Sequence, residues 1–423
     1  MEPSRERSIS REQRPPPHLL LVSAPSHAAV RRVALARAIS FAGSTSAFVA
    51  LAASLYASTG SAVWVSAAAL ASFAMPALVS PLSGAIGDRH DRRRVMVVSD
   101  LLGSACFAVM AVTSAPLALV SVKALAAVVA APLIPAAGAA LPWVAPEGGL
   151  AWANSRLAAA GTIGSLIGPA AGGLLVAGSS ASLVFGLNAL SFLISALMIL
   201  SIRGALGGTD EGADATERER GLAAGFAFLM HDRELRLVTM AFAAIFLGIG
   251  LTLPAEVSLT ADFGVGAGGY GVLVALWGVG GLIGAWLASR LLRSWPSGPV
   301  LVVAGAGVAV GLWGTGASPL FGLALATIGI AGVAEGVWQV AQQVLIQHRA
   351  PDAIRSRVLA ANEAVSQAGL AIALLVAGVL VNSLGPRPVF YIAATSCAVA
   401  ALVLFASSHR HRAVATPPES TTS

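Results

Sequence analysis

The chain has 423 residues, of which 56% are hydrophobic and 11% charged, with a formal net charge of +6. Soluble domains carry about 25% charged residues, so this composition excludes a water-soluble globule and points to a lipid bilayer. The positive balance does not mark a nucleic-acid binder, because the arginines fall between apolar runs rather than in a basic domain with interleaved aromatics.

Residues 1–32, rich in Arg, Ser and Pro, read as a disordered cytoplasmic tail whose longest apolar patch, Leu19 to Val22, is too short for a signal-peptide core. A crossing needs roughly 20 apolar residues. Runs of that kind fall at Val33 to Tyr56, Ala62 to Ser83, Val95 to Thr113, Leu117 to Ala140, Leu157 to Ala177 and Ala181 to Ile202. Six more follow at Leu237 to Leu259, Gly269 to Leu292, Val300 to Thr315, Leu320 to Val344, Val358 to Leu380 and Val389 to Phe405. The runs are long and continuous, whereas a barrel strand would alternate polarity over about ten residues. The expected fold is therefore an all-α membrane protein of twelve helices, with one six-helix bundle over 33–203 and another over 237–408.

Between the bundles, 204–236 carries Asp210, Glu211, Asp214, Glu217 and Glu219, then Leu222, Phe226 and Leu229 at helical spacing. This reads as a cytoplasmic linker followed by a helix lying on the membrane face. Residues 409–423, with Pro417 and Pro418 among small polar residues, read as a second disordered tail. Arginine is concentrated in alternate loops: Arg31 and Arg32, Arg89 and Arg92 to Arg94, Arg203, Arg218 and Arg220, Arg290 and Arg293, Arg349, Arg355 and Arg357, then Arg410 and Arg412. The opposite loops offer Arg387. By the positive-inside rule both termini face the cytoplasm. An internal repeat supports paired halves, since Gly84, Ala85 and Arg93 recur as Gly284, Ala285 and Arg293, and Ala145-Pro146-Glu147 before Asn154 resembles Ala350-Pro351-Asp352 before Asn362.

Two strings carry mechanism. The loop after span two reads Gly84-Ala85-Ile86-Gly87-Asp88-Arg89-His90-Asp91-Arg92-Arg93-Arg94. Small residues at Gly84 and Gly87 permit close helix approach, and an acid at a helix start can accept amide hydrogen bonds. Span five contains Gly164, Gly168, Pro169, Gly172 and Gly173, where small residues four apart let helices touch and Pro169 removes one backbone hydrogen bond. Together these strings resemble the major facilitator superfamily. The loop, with Asp91 where most members have Gly, looks like the macrolide-exporter and enterobactin-exporter branch. The resemblance extends through Leu141 and Pro142 to Asn154, Leu187-Asn188-Ala189 with Ser191 and Phe192, and Gly269-Tyr270-Gly271. It implies a gating loop of Gly84, Gly87, Asp88, Arg89, Asp91, Arg92 and Arg93 that latches the halves on the inner side. It also implies that the span-five string marks an exporter. Ala288 and Ser289 replace the acid in the second-half copy, so such a latch is asymmetric.

Ionisable groups inside spans are costly and so are default functional candidates. Glu335 lies near mid-membrane with Gly332, Gly336, Trp338 and Gln339; it is either a proton-exchanging group or a neutral acid bonded between helices. Lys123, the chain's single lysine, precedes Pro135 at the spacing of a basic residue in the superfamily's span four, which implies proton coupling; the alternative is snorkelling to the outer face. Arg37 is expected to snorkel to the inner surface or to recognise an anion, and Glu256 to meet cations or sit among headgroups. Asp100 and Glu363 flank cytoplasmic arginines and read as ion-pair partners of the inner gate. Ser44 stands where many relatives of the branch carry Asp after Gly, so their usual acidic site is absent here. Trp277, Trp313, Trp338, Asn188, Gln339, Gln342 and Gln367 either line a cavity or pack between helices.

No catalytic constellation, metal site or cofactor site is expected. His18, His27, His90, His231, His348, His409 and His411 lie in tails or loops, and Cys106 and Cys397 sit alone in apolar stretches. Lys123 has neither the glycines before it nor the Ser or Thr after it that an ATP-binding Walker loop needs. The reading is a multi-pass cell-membrane transporter, not an enzyme, whose partners are a small-molecule substrate, protons and lipid. It is expected to export amphipathic molecules such as a drug, macrolide-like product or siderophore by proton exchange. The alternative is a facilitator-type importer of a small metabolite.

Overall fold

The computed structural model describes residues 26–202, 206, 215–352 and 354–414, with side chains described except at 80–89, 215–222 and 408–414. Helices follow one another with short breaks: α1 (His27–Thr59), α2 (Ala62–Arg89), α3 (Arg92–Val112), α4 (Pro116–Ala130), α5 (Leu133–Val144), α6 (Leu150–Gly178) and α7 (Ala181–Leu200). After α8 (Ala215–His231) come α9 (Arg233–Asp262), α10 (Gly266–Leu291), α11 (Ser297–Ala317), α12 (Phe321–Arg349), α13 (Arg355–Leu384) and α14 (Pro386–Val414). Twelve of the described helical lengths are long and apolar enough to cross a bilayer, with α4 and α5 forming one of them. That helix breaks at Ala131 and Pro132, because Pro132 and Pro135 cannot donate to carbonyls one turn back.

The ends are capped by residue types suited to the task. Ser26, Ser61, Asp91, Ser180 and Asp232 each accept a first-turn amide hydrogen bond, and Gly60 ends α1 at φ 64°. Two expected boundaries need correction. The first bundle begins at His27, so residues 27–32 are helical rather than tail, because Ser26 provides a cap upstream of the arginines. Helix α14 runs to Val414, so residues 409–414 are helical too. The expected interfacial helix is α8, and its Leu229 is fully buried. Asp210, Glu211 and Asp214 lie outside the described residues, as do the side chains of Glu217 and Glu219.

Two hydrophobic cores correspond to the two halves. One gathers Val33, Leu51, Phe107, Leu141, Phe192 and Ile199; the other gathers Ile245, Leu312, Ile328, Trp338, Phe390 and Cys397. Two smaller clusters bridge the halves, one of Val49, Ala52, Val65, Val257 and Tyr270, the other of Ala69, Leu370 and Leu374. Alternation of helix direction puts the first residues of α1, α3, α9 and α13 at one end, here the terminal end, and the α1–α2 and α13–α14 turns at the far end.

Glycine sets the helix spacing. In the second half, an added Cβ at Gly280 would lie 2.9 Å from the Val333 amide nitrogen, and one at Gly332 or Gly336 would collide with the backbone of Trp277 or Gly281. Helices α10 and α12 therefore meet backbone to backbone, which fixes the face of α12 that carries Glu335. Gly336→Val should cost about 1–3 kcal/mol through overpacking and lower the apparent melting temperature in detergent. Gly161→Ala, at a site where a Cβ meets nothing within 4 Å, should leave it unchanged; a Gly336→Val protein as stable as the parent would refute this contact.

Candidate functional site

A cavity of about 260 Å³ lies between the halves, walled by α6 on one side and by α10 and α12 on the other. Thr162 and Ser165 come from α6, Trp277 and Gly281 from α10, Glu335 and Gln339 from α12. Glu335 is the midpoint of α12, fourteen residues from either end, or about 21 Å at roughly 1.5 Å per residue. Its side chain is buried, and Gln339, one turn along the same helix, donates from Nε2 to Oε1. Glu335 is the one ionisable side chain lining this cavity among the described residues. A second acceptor follows from the sequence of α6: Pro169 has no amide to give the Ser165 carbonyl, and that carbonyl lies 3.9 Å from where a Cβ on Gly278 would sit.

The span-five string divides its contacts between both halves. Gly164, Gly168 and Gly172 seat α6 against Phe41 to Ser46 of α1, and Thr45 and Ser46 donate to the Gly164 and Gly168 carbonyls at 3.0 and 2.7 Å. Gly173 instead faces the other half, where a Cβ would fall 2.6 Å from the Ala267 carbonyl oxygen and 2.7 Å from Gly271 Cα. The remaining described links between the halves are also in the far half of the molecule. Tyr56 and Ser258 share a hydrogen bond of 2.8 Å, Asn382 accepts from the Ala62 amide and donates to Ser61, both at 2.8 Å, and Gly378 touches Val63.

The other candidate charges are placed differently from expectation. Arg37 does not snorkel: its Nη2 donates to Asp100 Oδ2 at 2.6 Å and to Ser195 Oγ, while Ser195 Oγ donates to the same carboxylate oxygen at 2.6 Å. Asp100 is 0% exposed, so it is sealed inside the first half, joining α1, α3 and α7, and is not an inner-gate partner of loop arginines. Glu363 is exposed and accepts from Gln367 Nε2 at 2.9 Å, with no ion pair among the described residues. Lys123 does not reach the outer face either; it is buried at the centre of α4, with Nζ 5.8 Å from the Phe107 ring centroid, and lies outside the cavity. Glu256 is buried rather than among headgroups and meets Thr252 Oγ1 at 3.3 Å. Its helix also carries Ser258, one side of the far-end link.

In the expected gating loop, Asp91 caps α3 by accepting from the Arg94 amide at 2.9 Å, and buried Arg92 donates to the Ala139 carbonyl of α5 at 2.9 Å. Arg93 also makes interactions. Gly84 and Gly87 fall in the last turns of α2, and the side chains of Asp88 and Arg89 lie outside the described ones. Of the polar and aromatic candidates, Trp277 and Gln339 reach the cavity. Trp338 Nε1 donates to Gln342 at 3.1 Å, Gln342 donates to Asn362 at 2.5 Å, and Thr239 donates to Asn362 at 2.9 Å, a buried neutral chain across α12, α13 and α9. Asn188 is buried beside Ser191 and Gly43, Gln367 bonds to Glu363, and Trp313 is exposed on the outer surface. Ser44 is half-buried in α1. Sequence reading missed Ser195, Thr162, Ser165, Thr239 and Asn362 as functional partners; only Pro169, four residues after Ser165, signals one of them.

A family model described as Major Facilitator Superfamily matches residues 33–293 and 238–422. The chain is 28% identical over 354 residues to the "Multidrug efflux pump Tap" of Mycolicibacterium fortuitum, covering 78% of this chain and 84% of that one. It is 27% identical over 335 residues to the "Uncharacterized MFS-type transporter YfiS" of Bacillus subtilis (strain 168), covering 76% and 79%. The crystal structure of nucleoside transporter NupG superposes with a TM-score of 0.73 at 15% identity, over 89% of this chain and 98% of that one, a likeness of fold.

The buried ion pair in the first half generates a direct test. Arg37→Met alone leaves Asp100 uncompensated and should destabilise the protein by about 3–5 kcal/mol, whereas Arg37→Met with Asp100→Leu should recover most of the loss. Thermal unfolding in detergent reads both; a double variant no more stable than the single one would show that the pair is not an isolated unit.

Proposed function

The chain belongs to the Major Facilitator Superfamily, and on that premise we propose that it exports cationic amphipathic small molecules across the plasma membrane in exchange for protons. The observation that carries this reading is Glu335, an acid at mid-span that lines the cavity between the halves with no basic side chain beside it among the described residues. A carboxylate at that depth is costly unless neutralised. A proton and an organic cation are alternative ways to neutralise it, so binding of one favours release of the other. The Trp277 ring adds a face suited to a cation, and the Thr162, Ser165 and Gln339 groups supply hydrogen bonds without adding charge.

The terminal end is the cytoplasmic one in this proposal, supported by Arg31, Arg32, Arg92, Arg93, Arg290, Arg293, Arg349, Arg355 and Arg357 at that end against Arg387 at the other. Arg387 there is occupied locally, donating to the Gly316 and Ser318 carbonyls at 2.9 and 2.8 Å. The links between halves gather in the far half, which supports an inward-facing state in which substrate reaches Glu335 from the cytoplasm. The return step parts Gly173 from Gly271 and Tyr56 from Ser258. Export as the direction is supported by the span-five string and by the efflux pump Tap as a relative.

Cells producing the protein should accumulate less of a fluorescent organic cation than cells without it, and a protonophore should abolish the difference. Glu335→Gln should raise accumulation to the level of cells lacking the protein. Equal accumulation in all strains across a broad panel of cations would refute the proposal, as would full export by Glu335→Gln.

A further inference from the structure

Two larger openings flank α11, and transport through the cavity between the halves uses neither. The first is an apolar groove of about 590 Å³ between α10, α11 and α12. Among its lining glycines, Gly280 and Gly307 bring α10 and α11 hard against α12, and Gly329 leaves open the space beside Leu276, whose side chain a Cβ there would meet at 3.5 Å. Between Leu276 and Leu291, both in its wall, α10 rises about 22 Å at roughly 1.5 Å per residue. That length exceeds the hydrocarbon depth of one leaflet, about 15 Å as half of a ~30 Å core.

The second opening, about 880 Å³, lies at the terminal end between α9, α11, α14 and the end of α12. Its wall includes Asp232, Arg233, Glu234 and Arg349 beside Leu237 and Leu404. Arg349 pairs with Asp232 at 3.2 Å and with Glu234, while Arg233 has no ion pair among the described residues. Trp295 and Val303 belong to both openings, which are therefore continuous around the first turns of α11. Exposed Trp295 and Trp286, the latter with the Arg290 guanidinium 3.8 Å from its ring centroid, mark this level as the headgroup layer.

A ligand that fills both openings has a head carrying both signs of charge and a chain long enough for the groove. We propose that this is a binding site for a phospholipid with a phosphate and a primary amine in its head, of the phosphatidylethanolamine type. The phosphate faces Arg233, the ammonium faces the Glu234 and Asp232 carboxylates, and one acyl chain lies in the groove. An anionic head without an amine brings net negative charge to a pocket whose two acids and two arginines already balance. A choline head carries the charge without N–H donors. A transported cation has no phosphate for Arg233. The bilayer supplies the ligand at this depth.

The test is lipid retention by the intact purified protein in neutral detergent, read by native mass spectrometry after titration with phosphatidylethanolamine, phosphatidylcholine or phosphatidylglycerol of matched chains. The ethanolamine lipid should be retained several-fold more than either other. Arg233→Ala, at an exposed site, should remove that preference. Glu234→Gln, which removes one of the two acids and leaves Arg349 paired with Asp232 alone, should shift it toward phosphatidylglycerol. Gly329→Leu should lower retention of all three lipids, and its melting temperature reports whether it folds. Equal retention of the three lipids by the parent protein would overturn the proposal, and so would a preference for phosphatidylglycerol or an unchanged preference in both head-pocket variants. Displacement of the ethanolamine lipid by an exported cation would assign the openings to substrate entry and overturn it equally.

Discussion

Close approach of helix backbones is the constraint on which this architecture depends. In hydrocarbon, backbone groups must be satisfied within each helix, and helices associate through packing rather than through expulsion of water. Glycine makes that packing tight at three places with different consequences. Gly164, Gly168 and Gly172 fix α6 to α1 within the first half, and Gly280, Gly332 and Gly336 fix α10 to α12 within the second. Gly173 and Gly271 join α6 to α10 across the halves. The first two contacts make rigid bodies. The third, between them, is a glycine seam, and parting it opens only the two small clusters that bridge the halves while leaving the main core of each half intact.

The two halves treat polar groups differently. The first buries a full ion pair, Arg37 with Asp100, completed by Ser195. The second uses a neutral chain from Trp338 through Gln342 to Asn362 and Thr239. Also in the second half, Ser396 donates to the Ala244 carbonyl at 2.8 Å and ties α14 to α9. Both arrangements hold an inner layer of helices at fixed register. Glu335 differs from all of these because its side chain lines the cavity, and its one hydrogen-bond partner among the described residues is Gln339, a neutral amide. It is therefore an acid whose neutralisation is left to something that enters.

Much of the fold is legible in the sequence because bilayer thickness dictates span length, and the apolar runs announce themselves. The end of the first tail was not, since an apolar-run criterion ignores Ser26, a cap that starts α1 ahead of Arg31 and Arg32. The depth of Glu335 was legible from its central position in a run. The partners of Arg37, Lys123, Glu256 and Asp100 were not, because one-dimensional depth says nothing about facing: Arg37 and Asp100 are 63 residues apart and meet only when α1 packs on α3 and α7. The double role of the span-five string was hidden for the same reason. Its spacing reveals small residues but not that Gly172 and Gly173, adjacent in the chain, face opposite halves.

The central claim is that Glu335 exchanges a proton for the transported cation, and proton release on binding tests it most directly. Purified protein in weakly buffered detergent solution, mixed with an exported cation, should release protons to a pH indicator in proportion to the sites filled. The Glu335→Gln protein should release none while remaining folded. Undiminished proton release from that variant would contradict the account and move the coupling site elsewhere.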